Sequence, residues 1–240
     1  MNASHSGGSG HISWIGVVVP AHNEQELLPG CLAGLAAAAA ASPVQVEVLV
    51  VLDSCTDAST TAAGNVPTMT ISERNVGAAR RAGFGRLLRS RPAGVLDSQT
   101  WLATTDADTI VPSNWLTGML MHAAAGWDAV AGTVRVGDWD GHTARTRAAW
   151  QAGYDSRDGH RHVHGANLGF RGDAYRVAGG VPPVALSEDA HLIAALESSG
   201  CRVLRTGDLP VVTSGRRNGR VEGGFATFLL RTGASVLVSS

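Results

Sequence analysis

Residues 101–115 read WLATTDADTIVPSNW, and this stretch contains the features from which the fold and a candidate site are predicted. Residues 102–105 are apolar or β-branched and predict a strand that ends in an acidic turn. Asp106 and Asp108 can project from the same side of that chain, because an extended chain repeats its side-chain direction every two residues. A divalent cation between these carboxylates and a phosphate-bearing ligand would relieve their mutual repulsion. The alternative is that both are turn formers before the helix that follows Pro112.

Strand and helix patterns alternate four times up to this turn, which predicts an α/β fold with a mainly parallel, mixed central sheet and helices on both faces. The earlier predicted strands are Trp14–Val19, ended by Pro20, then Val46–Leu52 and Pro67–Ile71, and the predicted helices are Gln25–Ala41 and Asn75–Arg91. Ligands bind outside the carboxyl ends of such strands. Glu24, Asp53 and the Asp106–Asp108 pair follow the first, second and fourth strands, so we expect them to meet at that edge.

The second half of the chain is less regular. We predict strands over Asp128–Val136, Val163–Arg171, Arg202–Arg205 and Val211–Ser214, and helices over His142–Tyr154 and from a cap at Ser187–Asp189 to Ser199. No linker divides the chain, so we expect a disordered tail over 1–12 and one domain over 13–240. The apolar stretch Phe225–Val238 is expected to cover its own core, with a neighbouring molecule or a membrane surface as the alternatives.

Composition excludes several classes of protein. The 240 residues are 44% hydrophobic with a net charge of −1, which argues against a nucleic-acid binder that neutralises phosphates. All 19 basic residues are arginines, so a P-loop and a lysine Schiff base are excluded. The three cysteines lack CxxC spacing and are expected to be reduced. We find no signal peptide and no apolar run of about 20 residues, and cytoplasm is the default location.

Six motifs in order resemble family-2 glycosyltransferases of the GT-A fold, of the soluble, non-processive type. They are VVVPAHNE at 17–24, VVLDSCTD at 50–57, RNVGAAR at 74–80, TTDAD at 104–108, HGANLGFR at 164–171 and SEDAHL at 187–192. The resemblance implies metal-dependent, inverting transfer of a sugar from a nucleotide-sugar to an acceptor hydroxyl, with Mg or Mn. It also implies a Rossmann-like nucleotide-sugar half over 13–110 and an acceptor half over 111–240. The Gln-x-x-Arg-Trp motif of processive synthases is absent, which favours a single transfer.

The resemblance also assigns roles by position. Pro20, Ala21 and Glu24 would line the nucleoside pocket, and Asp53 would accept a hydrogen bond from the nucleobase. Arg80 would lie near the diphosphate, and Asp106 and Asp108 would mark the ribose and metal site. Asp189 would be the catalytic base. Asp53 suits uracil, so a UDP-sugar is preferred, although guanine also offers donors.

Chemistry supports the same assignments. A cation held by Asp108 would stabilise charge on the departing phosphate, and oxygen ligands suit Mg or Mn better than zinc. Asp189 would accept the acceptor's proton, with Glu188 as the rival base. Alternatively, both acids only begin a helix against its dipole. His191 is a further candidate ligand for the cation, or a structural helix residue.

Histidines and arginines in the second half give further candidates. His160, His162 and His164 would share one face of a strand, and we prefer hydrogen bonding to acceptor hydroxyls over a zinc site, because no other ligand completes a set. We place His164 and Asn167 on the acceptor side. Arg216 and Arg217 lie in GRRNGR, which would act as a lid that clamps the diphosphate or as a solvated loop.

Two other functions are weighed. A sugar nucleotidyltransferase needs a Gly-rich loop after the first strand and commonly a lysine, and both are absent. A catalytically inactive domain that binds nucleotide or a partner remains the main alternative.

Overall fold

The computed structural model describes residues 10–184 and 186–216. Its strands are β1 (Trp14–Ala21), β2 (Gln45–Asp53), β3 (Thr68–Ile71), β4 (Thr100–Thr104), β5 (Thr109–Ile110), β6 (Ala129–Val136), β7 (Leu168–Arg171) and β8 (Val203–Thr213). Its helices are α1 (Leu28–Ala40), α2 (Ser59–Ala62), α3 (Val76–Ser90), α4 (Trp115–Ala124), α5 (Ala144–Gly153), α6 (Gly172–Val177) and α7 (Glu188–Ser198), with 3-10 turns at Asp97–Gln99 and Gly165–Asn167.

The strands form one mixed sheet in the order β3-β2-β1-β4-β7-β6-β8-β5. β1 pairs parallel to β2 and β4, and β2 pairs parallel to β3. β7 lies antiparallel between β4 and β6, β8 is parallel to β6, and β5 is antiparallel to β8. The predicted α/β fold with a mainly parallel, mixed sheet is confirmed. The carboxyl ends of β1 to β4 open at the same edge.

Helices cover both faces of the sheet because the strands are apolar on both sides. Along β1, Val17 packs in one cluster with Leu35 of α1, and the next residue, Val18, packs in another with Phe84 of α3 and Leu192 of α7. Every residue of β1 is buried. A continuous apolar run is typical of a central parallel strand covered on both sides, as the sequence predicted.

Pro20 does not end the first strand, contrary to our prediction. β1 continues through Pro20 to Ala21 and pairs with β2 over its whole length. Its pairing with β4 stops at Val18, so the missing amide hydrogen of Pro20 leaves no gap in that second ladder. The extra residues carry β1 into the loop that bears Glu24.

Two further predictions were wrong in the second half. The predicted strand over 163–171 is a strand only from Leu168, because the Asn167 amide donates to the His164 carbonyl at 2.9 Å and forms a 3-10 turn. The two predicted strands around Pro210 are one strand, β8, with a register shift opposite Gly132 and Val134 of β6. That shift absorbs the residues around Pro210, which had suggested a turn.

Contrary to our prediction, Asn167 is not an acceptor-side residue. Its side chain lies inside the sheet at this irregularity. Its Oδ1 accepts from Trp115 Nε1 at 2.8 Å, and its Nδ2 donates to the carbonyls of Thr133 at 2.9 Å and Leu209 at 2.7 Å. The side chain is fully buried. A Cβ on Gly132 would lie 2.2 Å from Asn167 Nδ2, so glycine is required for this close approach.

The ends of the chain bear on two further predictions. Residues 1–9 of the predicted tail lie outside the described residues, but Ile12 is buried and the Gly10 carbonyl accepts from Arg171 at 3.1 Å. The apolar stretch Phe225–Val238 also lies outside the described residues. The three cysteines are free, as expected.

We predict that Asn167→Ala strongly destabilises the fold. The change leaves the Trp115 N–H and the Thr133 and Leu209 carbonyls buried without this partner, and we expect the free energy of unfolding to fall by about 2–4 kcal/mol. Urea denaturation measures it. The control is Gln151→Ala on the exposed face of α5, expected within about 0.5 kcal/mol of the parent. A loss below about 1 kcal/mol for Asn167→Ala would contradict the prediction.

Candidate active site

A pocket of about 670 Å³ opens at the carboxyl ends of the parallel strands. It contains the acids that we expected to meet at that edge, and it extends to the start of α7 and the end of β8. Its charged lining residues are the six acids Glu24, Asp53, Asp106, Asp108, Glu188 and Asp189 and the three arginines Arg74, Arg80 and Arg216. Pro20 and Ala21 also line it.

Strained backbone is concentrated around this pocket. In the part of the chain that the structure describes, the non-glycine residues with positive φ are Asn23 (55°), Ser54 (54°), Arg74 (48°) and Ser187 (57°). The first three lie in the loops after β1, β2 and β3, and Ser187 precedes α7. Such strain persists where the surrounding contacts enforce it, and it is typical of functional sites.

Asp53 fixes the loop between β3 and α3. Its carboxylate accepts from the amides of Glu73 and Arg74 at 2.8 Å each and of Asn75 at 2.7 Å, and from Ser54 Oγ at 3.0 Å. Burial raises the pKa of Asp53, but these hydrogen bonds outweigh burial and hold it below its ordinary value. Asp53 is therefore a charged, fixed acceptor in the pocket wall.

Arg80 of α3 is buried between two acids from distant parts of the chain. Its Nη2 contacts Asp106 after β4, its Nη1 contacts Glu188 at the start of α7, and its Nε donates to Thr104 Oγ1 at 3.2 Å. A Cβ on Gly165 would lie 2.3 Å from Arg80 Nη2, so glycine leaves the space that the guanidinium fills. Arg80 thereby holds the acidic turn and α7 together.

This pairing separates the two candidate bases. Glu188 is 4% exposed and is engaged by Arg80; burial raises its pKa, and the positive charge of Arg80 opposes that rise. Asp189 is half-buried and lines the pocket, with its Oδ2 accepting from the Gly165 amide at 2.7 Å. Of the two, Asp189 is the more accessible from the pocket.

Glu24 and Asp108 share Arg216, which follows β8. Arg216 donates from Nη1 to Glu24 Oε2 at 2.7 Å and from Nη2 to Glu24 Oε1 at 2.6 Å, and the same Nη2 lies 3.0 Å from Asp108 Oδ2. Burial raises the pKa of Asp108 to about 6, against the opposing charge of Arg216. The sequence placed Arg216 in a lid or a solvated loop, and its pairing with Glu24 was not predicted.

His162 and His164 form one wall of the pocket with Trp150 and Tyr154. The Tyr154 ring stacks between Trp150, at a centroid distance of 4.4 Å, and His162, at 4.3 Å. Tyr154 Oη accepts from the Val134 amide at 3.0 Å and lies 2.9 Å from His164 Nε2, so its hydrogen is free to be donated to that nitrogen. Burial first, and His162 and His160 next, lower the pKa of His164 to about 4. His164 is therefore neutral at pH 7.

Other predicted site residues have different outcomes. His191 is exposed and outside the pocket lining, with its Nδ1 2.7 Å from the Ser187 carbonyl, so the structure does not bring it to Asp106 and Asp108. Arg217 lies outside the described residues. Within the described ranges, no group of three or more His, Cys, Asp or Glu side chains is arranged to hold a metal ion.

The lining residues that sequence reasoning missed include one histidine and two aromatic residues. His22 lines the pocket with its Nδ1 2.6 Å from the Asp53 carbonyl, and Trp150 and Tyr154 form the aromatic wall. His22 was quoted within the first motif without a role. The spacing of Trp150 and Tyr154 by four residues near the end of a predicted helix could have indicated that they meet.

Comparison with known proteins identifies a family and a set of similar folds. The model for "Glycosyl transferase family 2" matches residues 16–176. A search of curated protein sequences gave no significant match. No helix within the described residues has both the length and the apolar character needed to cross a membrane.

Solved structures share the fold at low sequence identity. S. aureus TarS 1-349 in complex with UDP-GlcNAc has a TM-score of 0.64 and 13% identity, over 92% of this chain and 65% of that one. The mannosyltransferase PcManGT from Pyrobaculum calidifontis, with GDP-Man and Mn2+, has a TM-score of 0.58 and 17% identity, over 96% and 76%. Glucosyl-3-phosphoglycerate synthase from Mycobacterium tuberculosis, with Mn2+, UDP and glucosyl-3-phosphoglycerate, has a TM-score of 0.57 and 16% identity, over 95% of this chain and 80% of that one. The chain spans 60% to 65% of the TarS 1-349 structures.

We predict that His164 makes stability depend on pH. Its pKa is about 4 in the fold and 6.5 ordinarily, so the unfolded chain binds more protons between these values and stability is lost as pH falls from 6.5 to 4. The His164→Gln variant keeps an acceptor for Tyr154. In this variant, the slope of the unfolding free energy against pH should decrease by up to about 1.4 kcal/mol per pH unit. Denaturant unfolding at several pH values measures it.

The control for this measurement is His11→Gln, which changes an exposed histidine and should leave the slope as it is in the parent protein. An equal slope in the parent and in His164→Gln would mean that His164 does not cause the pH dependence.

Proposed function

The chain belongs to glycosyl transferase family 2, and on that premise we propose that it transfers a sugar from a nucleoside-diphosphate sugar to an acceptor hydroxyl. We propose inversion at the anomeric carbon, and UDP-sugars in preference to GDP-sugars. The observation that carries the proposal is the arrangement of Asp189 beside the cluster formed by Arg80, Asp106 and Glu188. This arrangement places a carboxylate that faces the pocket next to a charged cluster that contains Arg80.

Charge supports a divalent cation in this pocket. Six carboxylates line it against three arginines, so a diphosphate would be repelled unless a further cation entered with it. Carboxylate oxygens are the ligands that Mg and Mn prefer, so the residues suit such an ion, and Asp108 and Asp106 would hold it. When bound, the ion would act as a Lewis acid that stabilises the charge on the departing phosphate.

The chain's own residues have distinct tasks in this proposal. Asp53 stays charged and offers its remaining acceptor capacity to an N–H of the base, while Arg80 keeps Asp106 oriented through a buried contact. Pro20 and Ala21 supply an apolar surface beside the nucleoside. Fixed groups of this kind stabilise a transition state without having to reorganise during the reaction.

Asp189 is the proposed catalytic base. The acceptor oxygen forms a bond to the anomeric carbon, the bond from that carbon to the phosphate oxygen breaks, and the nucleoside diphosphate leaves with the electron pair. The acceptor's proton passes to a carboxylate oxygen of Asp189. The Gly165 amide orients the side chain through Oδ2, which fixes a base at the pocket surface.

The similar structures support a nucleotide-sugar as the donor class, but they differ in the nucleobase of that donor. TarS was solved with UDP-GlcNAc, PcManGT with GDP-Man and Mn2+, and glucosyl-3-phosphoglycerate synthase with UDP and Mn2+. Our preference for uracil as the nucleobase of the donor therefore rests on Asp53, and experiment must distinguish it from guanine.

We predict that one nucleoside diphosphate stabilises the protein in the presence of Mn2+. UDP, GDP, ADP and CMP, each with and without Mn2+, are compared by thermal shift. A ligand at about 100 times its dissociation constant adds about 2.7 kcal/mol to stability. Asp108→Ala should remove the metal-dependent part of the shift, and Asp173→Ala, outside the pocket, should keep it. If no nucleotide stabilises the parent with Mn2+, the donor assignment is wrong.

We predict that Asp189→Asn retains nucleotide binding and loses turnover by at least about 100-fold, because the amide can still accept from Gly165 but cannot take a proton. Release of nucleoside diphosphate from the donor sugar, with water as acceptor, measures turnover. The matched control is Asp173→Asn, which also changes an aspartate in the first turn of a helix.

Full turnover in Asp189→Asn would exclude Asp189 as the base. Nucleotide binding without turnover by the parent protein would favour the alternative of a catalytically inactive binding domain.

A further inference from the structure

We propose that Arg216 is an internal cation that competes with the divalent ion for Asp108, so that metal binding becomes conditional on the diphosphate. The inference rests on the proposed function, in which Asp108 holds the ion. It assigns to Arg216 a task other than clamping phosphate. Arg216 is a positioning residue in this scheme, and it takes no part in proton transfer.

The contacts of Arg216 are unequal. The guanidinium makes a two-pronged pair with Glu24, at 2.7 and 2.6 Å, and only one of those nitrogens reaches Asp108, at 3.0 Å. Glu24 is 6% exposed and its amide donates to Ser59 Oγ at 2.7 Å, so the anchor for Arg216 is fixed. The guanidinium can therefore give up Asp108 and keep Glu24.

The backbone holds Arg216 at this position. The Ser214 amide donates to the Asp108 carbonyl at 3.1 Å, and the Arg216 amide donates to Ser214 Oγ at 3.2 Å. Thr109 Oγ1 lies 3.3 Å from Asp108 Oδ1, which leaves Oδ2 as the oxygen directed at Arg216. The acid and the arginine are thus fixed together by the pairing of β5 with β8.

Electrostatics gives this contact its consequence. Asp108 has a side-chain exposure of 14%, so its charge needs a partner in the absence of ligands. A divalent ion that arrives alone must displace the guanidinium and would then lie close to it, and like charges repel. A diphosphate supplies negative charge for both the divalent ion and the Arg216 guanidinium, so their mutual repulsion is offset and the ion can bind. Metal and nucleotide should therefore bind with strong positive coupling.

The test is a comparison of Mn2+ affinity, measured by electron paramagnetic resonance of free Mn2+, without nucleotide and with saturating UDP or GDP. We expect Arg216→Gln to bind Mn2+ without nucleotide at least ten-fold more tightly than the parent. The ratio of the two Mn2+ dissociation constants, without and with nucleotide, should fall by a similar factor. Arg216→Met serves as a second neutral variant if the glutamine variant does not fold.

Two controls separate charge from a structural role. Arg216→Lys keeps a cation near Glu24 and Asp108, and we expect it to bind Mn2+ without nucleotide as weakly as the parent. Arg157→Gln removes an exposed arginine paired with Asp155 at 2.9 Å outside the pocket, and should change nothing. A merely structural role for Arg216 would instead weaken Mn2+ binding in the lysine and glutamine variants alike.

Unchanged or weaker Mn2+ binding by Arg216→Gln, without nucleotide, overturns the inference. Failure of the proposed function has a different signature, because the parent would then bind neither UDP nor GDP in the presence of Mn2+. The nucleotide-free comparison of the parent with Arg216→Gln does not depend on that result.

Discussion

The burial of one guanidinium between two carboxylates is the constraint on which the site depends. The side chain of Arg80 is 4% exposed, and it contacts Asp106 after β4 and Glu188 at the start of α7. Removal of one partner from a buried ion pair costs about 3–5 kcal/mol, because the remaining charge is uncompensated. Gly165 leaves the space for the guanidinium. Four segments that are distant in the sequence are therefore fixed by a single side chain.

This constraint also divides the tasks among the acids of the pocket. Glu188 is engaged by Arg80, and Glu24 is engaged by Arg216. Asp53 is held by three backbone amides. The Asp189 carboxylate accepts from the backbone amides of Gly165 and Ala190, and its side chain lies at the pocket surface. Glu188 and Asp189, which are adjacent in one motif, thus have different environments. Glu188 is buried and paired with Arg80, and Asp189 faces the pocket.

The sequence predicted the parts of this arrangement that depend on local pattern. β1 and β2 are long apolar runs, and parallel strands bring the turns after them to one edge, so the meeting of Asp53 with Asp106 could be predicted. Contacts between distant segments could not. The ion pair of Arg80 with Glu188 joins residues 108 positions apart. We had placed Asn167 on the acceptor side, whereas its side-chain amide completes hydrogen bonds inside the sheet.

The pocket has a charged part and an uncharged part, and Asp189 lies where they meet. Its Oδ2 accepts from the Gly165 amide, and the preceding residue, His164, belongs to the wall formed with Tyr154. A neutral imidazole beside stacked rings adds no charge at pH 7, so this wall differs from the part of the pocket that contains the acids and arginines. It also leaves the negative charge of Asp189 without a neighbouring histidinium ion to neutralise it. In the proposed transfer, a carboxylate at such a boundary would take a proton from a hydroxyl on the uncharged side, opposite the leaving phosphate.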